Sequence, residues 1–181
     1  KSFGDINFTY SKFSSNVHSA IESKFKQQVI VGIPTTKIEN SEISNAQNIR
    51  KKLMSSGAKK IVCVLDENSA DDARWHTGND FQKEIYELTI NALLSNNDLG
   101  LIFKPKVAYT LRKRLGYVGD LLDEALKTKR CHIFTDNYER STAMPPILAA
   151  YSSDLVIHSA LSGGTAAIEC AKINIPTILI D

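Results

Sequence analysis

The stretch that decides the fold is Asp154-Leu-Val-Ile-His-Ser-Ala-Leu-Ser-Gly-Gly-Thr-Ala-Ala-Ile-Glu-Cys-Ala-Lys-Ile-Asn-Ile-Pro-Thr-Ile-Leu-Ile-Asp181. Its apolar run at residues 155–158 predicts a buried strand, and the small residues at 159–164 predict a turn. The apolar residues that follow have helical spacing, and this helix is expected to end before Pro176. The β-branched run at residues 177–180 predicts another strand. Strand, glycine turn, helix and strand in this order form a parallel βαβ unit.

The glycine turn of this unit is a candidate anion site. The first N–H groups of a helix have no acceptor within the helix, and the helix dipole adds a partial positive charge at the same end. Both features favour a phosphate group at that position. Gly163 and Gly164 have no Cβ, so a phosphate can approach their main chain closely.

Glu169 is the second candidate in this stretch, because it is the only charged residue between Asp154 and Lys172. It follows Thr165 by four residues and Ser162 by seven, so the three residues share one helical face. Four residues of helix rise roughly 6 Å, about the step from a phosphate to the ribose of the same nucleotide. A carboxylate there can accept hydrogen bonds from two ribose hydroxyl groups. The alternative is a solvent-facing glutamate on an ordinary surface helix, and the pattern alone leaves both open.

The sequence of residues 154–180 resembles the nucleotide-sugar-binding segment in the C-terminal domain of GT-B glycosyltransferases. The resemblance implies that Ser162, Gly163, Gly164 and Thr165 hold the donor diphosphate and that Glu169 holds the ribose. The run Ser162-Gly163-Gly164 is also similar to the related UDP-N-acetylglucosamine 2-epimerases. Those enzymes have their acidic residues closer to the glycines than Glu169 is, which favours the transferase.

Length and composition predict one globular domain. The chain has 181 residues, of which 43% are hydrophobic and 23% charged, and its net charge of +2 gives no reason to expect nucleic acid as a partner. It contains no apolar run long enough to span a bilayer, and its first residues do not form a signal peptide. The three cysteines are scattered and lack metal-ligand spacing, so we expect buried, reduced thiols in a cytoplasmic protein. Association with a membrane is expected to be peripheral at most. No metal or cofactor is expected.

Six apolar runs, near residues 29, 61, 100, 131, 155 and 177, alternate with helical patterns. They predict an open, doubly wound parallel α/β sheet of Rossmann type with helices on both faces, one half of a GT-B architecture. Residues 1–28 are expected to be a linker or the edge of a missing N-terminal domain. Residues 29–181 are expected to be a nucleotide-sugar-binding domain that is truncated at its C-terminus. One long helix is predicted over residues 108–127.

Three further candidates follow strands of the predicted sheet, and ligands of such sheets bind beyond the carboxyl ends of the strands. Gly32 lies in the loop after the first strand, Lys104 ends the third, and His158 ends the fifth. Lys104 is suited to neutralise a diphosphate and His158 to donate to a phosphate or sugar oxygen; the alternatives are a solvated lysine and a packed histidine. The ending Lys104-Pro105 is similar to that of polysaccharide and teichoic-acid-type transferases, in which a histidine commonly follows. Lys106 stands in its position here.

The leading hypothesis is the donor-binding half of a GT-B glycosyltransferase that acts in surface polysaccharide biosynthesis. The expected donor is a UDP-sugar, and the expected acceptor is a hydroxyl group of a carbohydrate or a lipid-linked molecule. The general base is expected from the protein's own N-terminal domain, so no catalytic residue is assigned in this chain.

Two alternatives stay open. A 2-epimerase-like or nucleotide-sugar hydrolase relative would need carboxylates near the anomeric carbon, from Asp136 or from the pair Asp66 and Glu67. A non-catalytic Rossmann-like binding domain would bind no nucleotide and would carry an apolar patch on its surface. The chain lacks the Gly-x-Gly-x-x-Gly motif of dinucleotide-binding domains after its first predicted strand, which argues against NAD.

Overall fold

The computed structural model describes residues 2–66, 71, 78–135, 144–158 and 164–180. The chain divides into two compact units, Lys1–Lys37 and Ile38–Asp181. The domain boundary predicted between residues 28 and 29 therefore falls inside the first unit. The function of this unit as a linker or as the edge of another domain stays a prediction.

The first unit is a small parallel βαβ motif, built from β1 (Phe3–Thr9), α1 (Lys12–Ala20) and β2 (Lys24–Ile30). β1 pairs in parallel with β2 over their whole length. The strand predicted near residue 29 thus exists, but it belongs to this two-stranded sheet and not to the main sheet. An apolar run favours a strand but does not specify the strand with which it pairs, and β2 contains no buried residue.

The second unit contains a five-stranded parallel sheet in the order β5-β4-β3-β6-β7. The described strands are β3 (Lys60–Leu65), β4 (Leu99–Lys104), β5 (Cys131–Ile133), β6 (Leu155–His158) and β7 (Thr177–Leu179). The predicted fold class, an open doubly wound α/β sheet, is confirmed. The sheet has five of the six predicted strands, because the first one lies in the other unit.

Helices cover both faces of this sheet, as predicted. The described helices are α2 (Asn40–Ser55), α3 (Asn79–Ser95), α4 (Leu111–Leu115), α5 (Val118–Lys127), α6 (Pro146–Tyr151) and α7 (Gly164–Lys172). One hydrophobic cluster joins α3, α4 and α5 to one face through Val64 and Phe103. A second cluster joins α2, α6 and α7 to the other face through Cys63 and Ile102. Successive residues of a strand point to opposite faces, which is why neighbours in sequence serve different clusters.

The single helix predicted over residues 108–127 is wrong. The structure has two helices there, α4 and α5, and Gly116 lies between them with a φ of +55°. This left-handed conformation interrupts a helix and favours glycine. The buried apolar residues keep helical spacing across the break, at Leu111, Leu115, Val118 and Leu122, so that their pattern alone did not reveal it.

The order of the strands creates a crevice at the centre of the sheet. From β3 the chain passes through α3 to β4 and β5 on one side, and it then returns through α6 to β6 and β7 on the other side. Such a reversal is a topological switch point, and ligands of open parallel sheets bind there, beyond the carboxyl ends of the strands.

The three cysteines are buried, as predicted, and none of them forms a disulfide. In the part of the chain that the structure describes, no helix has the length and apolar character needed to cross a bilayer.

Candidate functional site

Two of the predicted site residues, Lys104 and His158, come together at the centre of the sheet. Leu65 at the end of β3 is opposite Lys104 of β4 on one side and opposite His158 of β6 on the other. Residues in register on parallel strands point to the same face. Leu65 packs in the cluster formed with α2, α6 and α7, so Lys104 and His158 lie on that face of the sheet.

These residues line a pocket of about 330 Å³ beyond the carboxyl ends of β3, β4 and β6. It therefore lies at the topological switch point, where the strand order predicts a ligand site. Its described lining residues are Leu65, Asp66, Lys104, Pro105, Lys106, Met144, Pro145, Pro146, His158 and Ala166.

The charge of this pocket favours an anion. Its charged lining residues are two lysines, Lys104 and Lys106, and one aspartate, Asp66, and the first turns of α6 and α7 contribute Pro146 and Ala166. The positive ends of helix dipoles attract negative charge. Lys104 is only 4% exposed and His158 only 1%, so water screens little of their interaction with a bound group. Lys104 Nζ also donates a hydrogen bond to the carbonyl of Pro105, at 3.2 Å.

Glu169 is buried, with 8% of its surface exposed, whereas Thr165 on the preceding turn is exposed. The alternative of a solvent-facing glutamate is therefore wrong. Burial, reinforced by the adjacent Glu169 carboxylate, raises the pKa of Cys170 to about 12. Neither Thr165 nor Glu169 is among the described residues that line the pocket, so the ribose contact of Glu169 stays a prediction.

The glycine turn is described only at its last residue. Ser162 and Gly163 lie outside the described residues, and α7 begins at Gly164. No described atom comes within 4 Å of the position that a Cβ on Gly164 would occupy. Among the described residues, none covers this side of the main chain at the start of α7, which a ligand would have to approach.

Gly32 follows β2 in the first unit and has a φ of +74°. The strand that it follows pairs with β1 and is not a strand of the main sheet, so the prediction that Gly32 follows a strand of that sheet is wrong. The left-handed conformation supplies a local reason for glycine there. A binding role for Gly32 stays a prediction.

Comparison of the chain with protein-family models, curated proteins and solved structures gave no match. The geometry of the site and the resemblance of residues 154–180 therefore carry the functional inference.

Asp66 belongs to a buried polar cluster beside the pocket that was not predicted; from the sequence it was expected to be a solvated loop charge or a reactive carboxylate. Asp66 Oδ2 accepts a hydrogen bond from Tyr86 Oη at 2.9 Å, and its Oδ1 accepts one from the main-chain N–H of Lys106 at 2.7 Å. Arg114 Nη2 lies 3.8 Å from Asp66 Oδ2. Burial raises the pKa of Asp66, and the Arg114 guanidinium and the two hydrogen bonds oppose that shift.

The sequence did contain a signal for this cluster. Gln82 and Tyr86 are four residues apart on the buried face of α3, and Arg114 lies between two buried leucines of α4. Polar side chains at the apolar positions of helices require buried partners. Glu67 and Asp136, the other carboxylates considered for chemistry, lie outside the described residues. Within the described ranges, no group of three or more His, Cys, Asp or Glu side chains is arranged to hold a metal ion.

Proposed function

We propose that the second unit is the donor-binding half of a GT-B glycosyltransferase and that the pocket receives the diphosphate of a nucleotide sugar. One observation carries the proposal: Lys104 and His158 meet at the topological switch point, beside the first turn of α7. The resemblance of residues 154–180 to the nucleotide-sugar-binding segment also supports it; His158 belongs to that segment and Lys104 lies outside it.

The proposed chemistry is electrostatic. When an acceptor hydroxyl attacks the anomeric carbon, the bond to the nucleoside diphosphate breaks and the leaving group gains negative charge. Lys104 stabilises that charge in a pocket where it is largely withdrawn from water, and interactions in such surroundings are stronger than in bulk solvent. The main chain of the turn from Ser162 to Thr165 binds the phosphates, and His158 donates to a phosphate or sugar oxygen.

The remaining parts of the proposal concern partners. The donor is a UDP-sugar, and the acceptor is a carbohydrate or a lipid-linked molecule in surface polysaccharide biosynthesis. The general base comes from the protein's own N-terminal domain, so this chain alone binds the nucleotide and turns over no donor. The reaction takes place in the cytoplasm, with at most peripheral attachment to the membrane.

The experiment is saturation-transfer NMR of the chain with UDP, CDP, GDP and ADP, followed by calorimetric titration of the best ligand. Lys104→Gln should weaken binding about tenfold or more, because it removes a charge-assisted contact to phosphate. Lys113→Gln, which neutralises an exposed lysine of α4 outside the pocket, is the matched control. The proposal fails if none of the four nucleotides binds, or if the two lysine variants have the same effect.

Glu169 is tested by comparing UDP with inorganic pyrophosphate, which has no ribose. Because Glu169 is buried, the near-isosteric Glu169→Gln is the appropriate variant, with thermal unfolding as the check on its fold. Affinity for UDP should fall several-fold, because an amide has one oxygen to accept from two hydroxyl groups. Affinity for pyrophosphate should be unchanged. Equal losses for both ligands would contradict the ribose contact.

One observation favours the second candidate, a 2-epimerase-like or hydrolytic enzyme: Asp66 is among the residues that line the pocket, although its side chain is fully buried. Both of its oxygens already accept hydrogen bonds from the protein, which makes it the weaker proposal. Incubation with UDP-N-acetylglucosamine in the absence of an acceptor separates the two. Free or epimerised sugar that disappears in Asp66→Asn would support the second candidate.

A further inference from the structure

We propose that Asp66 is a positioning residue that fixes Lys106 at the pocket and thereby sets the affinity of the pocket for a diphosphate. This inference rests on the proposed function, and it adds a second cationic contact and the device that holds it. Asp66 acts on the ligand only through Lys106.

Asp66 ties the end of β3 to the segment that carries both lysines. Its main-chain N–H donates to the carbonyl of Lys104 at 3.2 Å, and its carboxylate accepts from the N–H of Lys106 at 2.7 Å. Lys104 and Lys106 both line the pocket, and the side chain of Lys106 is otherwise exposed. A main chain held at both residues limits the directions in which the Lys106 side chain can extend.

The carboxylate of Asp66 is itself held from two helices. Tyr86 of α3 donates its hydroxyl group to Oδ2, and the Tyr86 ring stacks on Phe103 of β4 with 4.1 Å between ring centroids. Arg114 of α4 lies beside the same oxygen and donates to the carbonyl of Val107 at 2.9 Å. Arg114 also donates to the side chain of Gln82. The segment after β4 is therefore anchored at Lys106 by Asp66 and at Val107 by Arg114.

The burial of this cluster argues for a positioning role. Withdrawing a carboxylate from water is costly, and burial raises the pKa of Asp66 in spite of its partners. An apolar pair of similar volume would fill the space without that cost. Such an apolar pair could not accept a hydrogen bond from the main-chain N–H of Lys106, and so it could not fix the direction of the segment after β4.

The two roles open to Asp66 predict opposite signs for one variant. If the carboxylate acted on the ligand by charge alone, Asp66→Asn would remove a negative charge from the wall of the pocket and tighten the binding of an anion. If Asp66 positions Lys106, the same variant weakens the hydrogen bond to the Lys106 N–H and leaves its side chain less ordered. Binding of the anion then becomes weaker.

The experiment is calorimetric titration of the chain with inorganic pyrophosphate, in a double-mutant cycle between Asp66→Asn and Lys106→Gln. Lys106→Gln should weaken binding about fivefold, and Asp66→Asn should weaken it by a similar factor, each reflecting one lost or disordered hydrogen bond. The double variant should bind no more weakly than Lys106→Gln alone, because Asp66 has nothing left to position. Lys113→Gln serves as the matched control.

If Asp66→Asn does not fold, Tyr86→Phe tests the same role, because this variant keeps the stacked ring and removes only the hydroxyl group that holds Asp66. It should weaken pyrophosphate binding about twofold to threefold, and only when Lys106 is present.

The outcomes are distinct. Tighter or unchanged binding in Asp66→Asn overturns the positioning role, and so does a loss that is equally large with and without Lys106. In either case, if UDP binds and its binding requires Lys104, the proposed function is not contradicted. If the wild-type chain binds neither pyrophosphate nor any nucleoside diphosphate, the proposed function and this inference fall together.

Discussion

Adding one methyl group at either of two glycines tests the fold and the site separately. In β4, a Cβ on Gly100 would lie 2.9 Å from Ala58 Cβ and 3.0 Å from Ile61 Cγ1. Both neighbours are buried, at 3% and 0% exposure, and have little room to move. A Cβ on Gly164, by contrast, meets no described atom within 4 Å.

These contacts give different expectations for Gly100→Ala and Gly164→Ala. Overpacking a core costs about 1–3 kcal/mol, and replacing glycine returns about 0.4–1 kcal/mol from the unfolded state. Gly100→Ala should therefore lower the free energy of unfolding by about 1–2 kcal/mol, which for a chain of this size lowers Tm by about 3–6 °C. Gly164→Ala should keep the wild-type stability or gain up to about 1 kcal/mol.

The ligand response should be the reverse of the stability response. In Gly164→Ala the methyl group enters the space through which a phosphate would reach the main chain, so UDP should bind about tenfold more weakly. Gly100→Ala should bind UDP normally at temperatures below its Tm. Urea denaturation, thermal unfolding by circular dichroism and calorimetric titration measure the three quantities. Undiminished UDP binding by Gly164→Ala would refute the phosphate contact, and an unchanged Tm in Gly100→Ala would refute the close packing of β3 on β4.

Three further predictions concern titratable groups. Burial raises the pKa of Asp154, but the hydrogen bond from Arg50, at 2.8 Å, outweighs that effect and lowers it. The contribution of this carboxylate to stability is therefore present above about pH 3.9, and it is lost as the pH falls through the pKa of the folded state. Asp154→Asn should cost about 1 kcal/mol at neutral pH in urea denaturation and flatten the acid side of the stability curve. Burial and the nearby Lys52 lower the pKa of His132, so stability should fall as the pH drops below about 6.5, and Lys52→Gln should raise the pKa of His132 in an NMR titration. The three cysteine thiols should react with a disulfide reagent only after unfolding, because they are buried and burial raises the pKa of two of them to about 12.

The sequence predicted the parts of the fold that depend on local pattern. The apolar runs near residues 61, 100, 131, 155 and 177 are the five strands of the main sheet. The inner strands are apolar because they are buried on both faces, whereas β7 at the edge is largely exposed. The run near residue 29 has the same local character and a different pairing partner. Which strands pair is decided by packing between segments that are distant in sequence, and a local sequence pattern contains no information on that packing.

The same distinction holds at the site. Lys104 and His158 could be predicted at one edge because each directly follows an apolar run, and parallel strands share a carboxyl edge. That Leu65 lies between them, in register with both, depends on the strand order and was not predictable. The break at Gly116 was hidden for the opposite reason, because the local apolar spacing continued through it.

The two halves of the pocket come from different parts of the chain. His158 and Ala166 belong to the stretch that resembles the nucleotide-sugar-binding segment, whereas Lys104 and Lys106 follow a strand outside that stretch. The buried Asp66 adds a third line, because holding an exposed loop with a costly buried carboxylate is useful mainly where the direction of that loop matters. The positioning role of Asp66 therefore depends on whether Asp66→Asn weakens the binding of pyrophosphate, since simple removal of a negative charge would strengthen it.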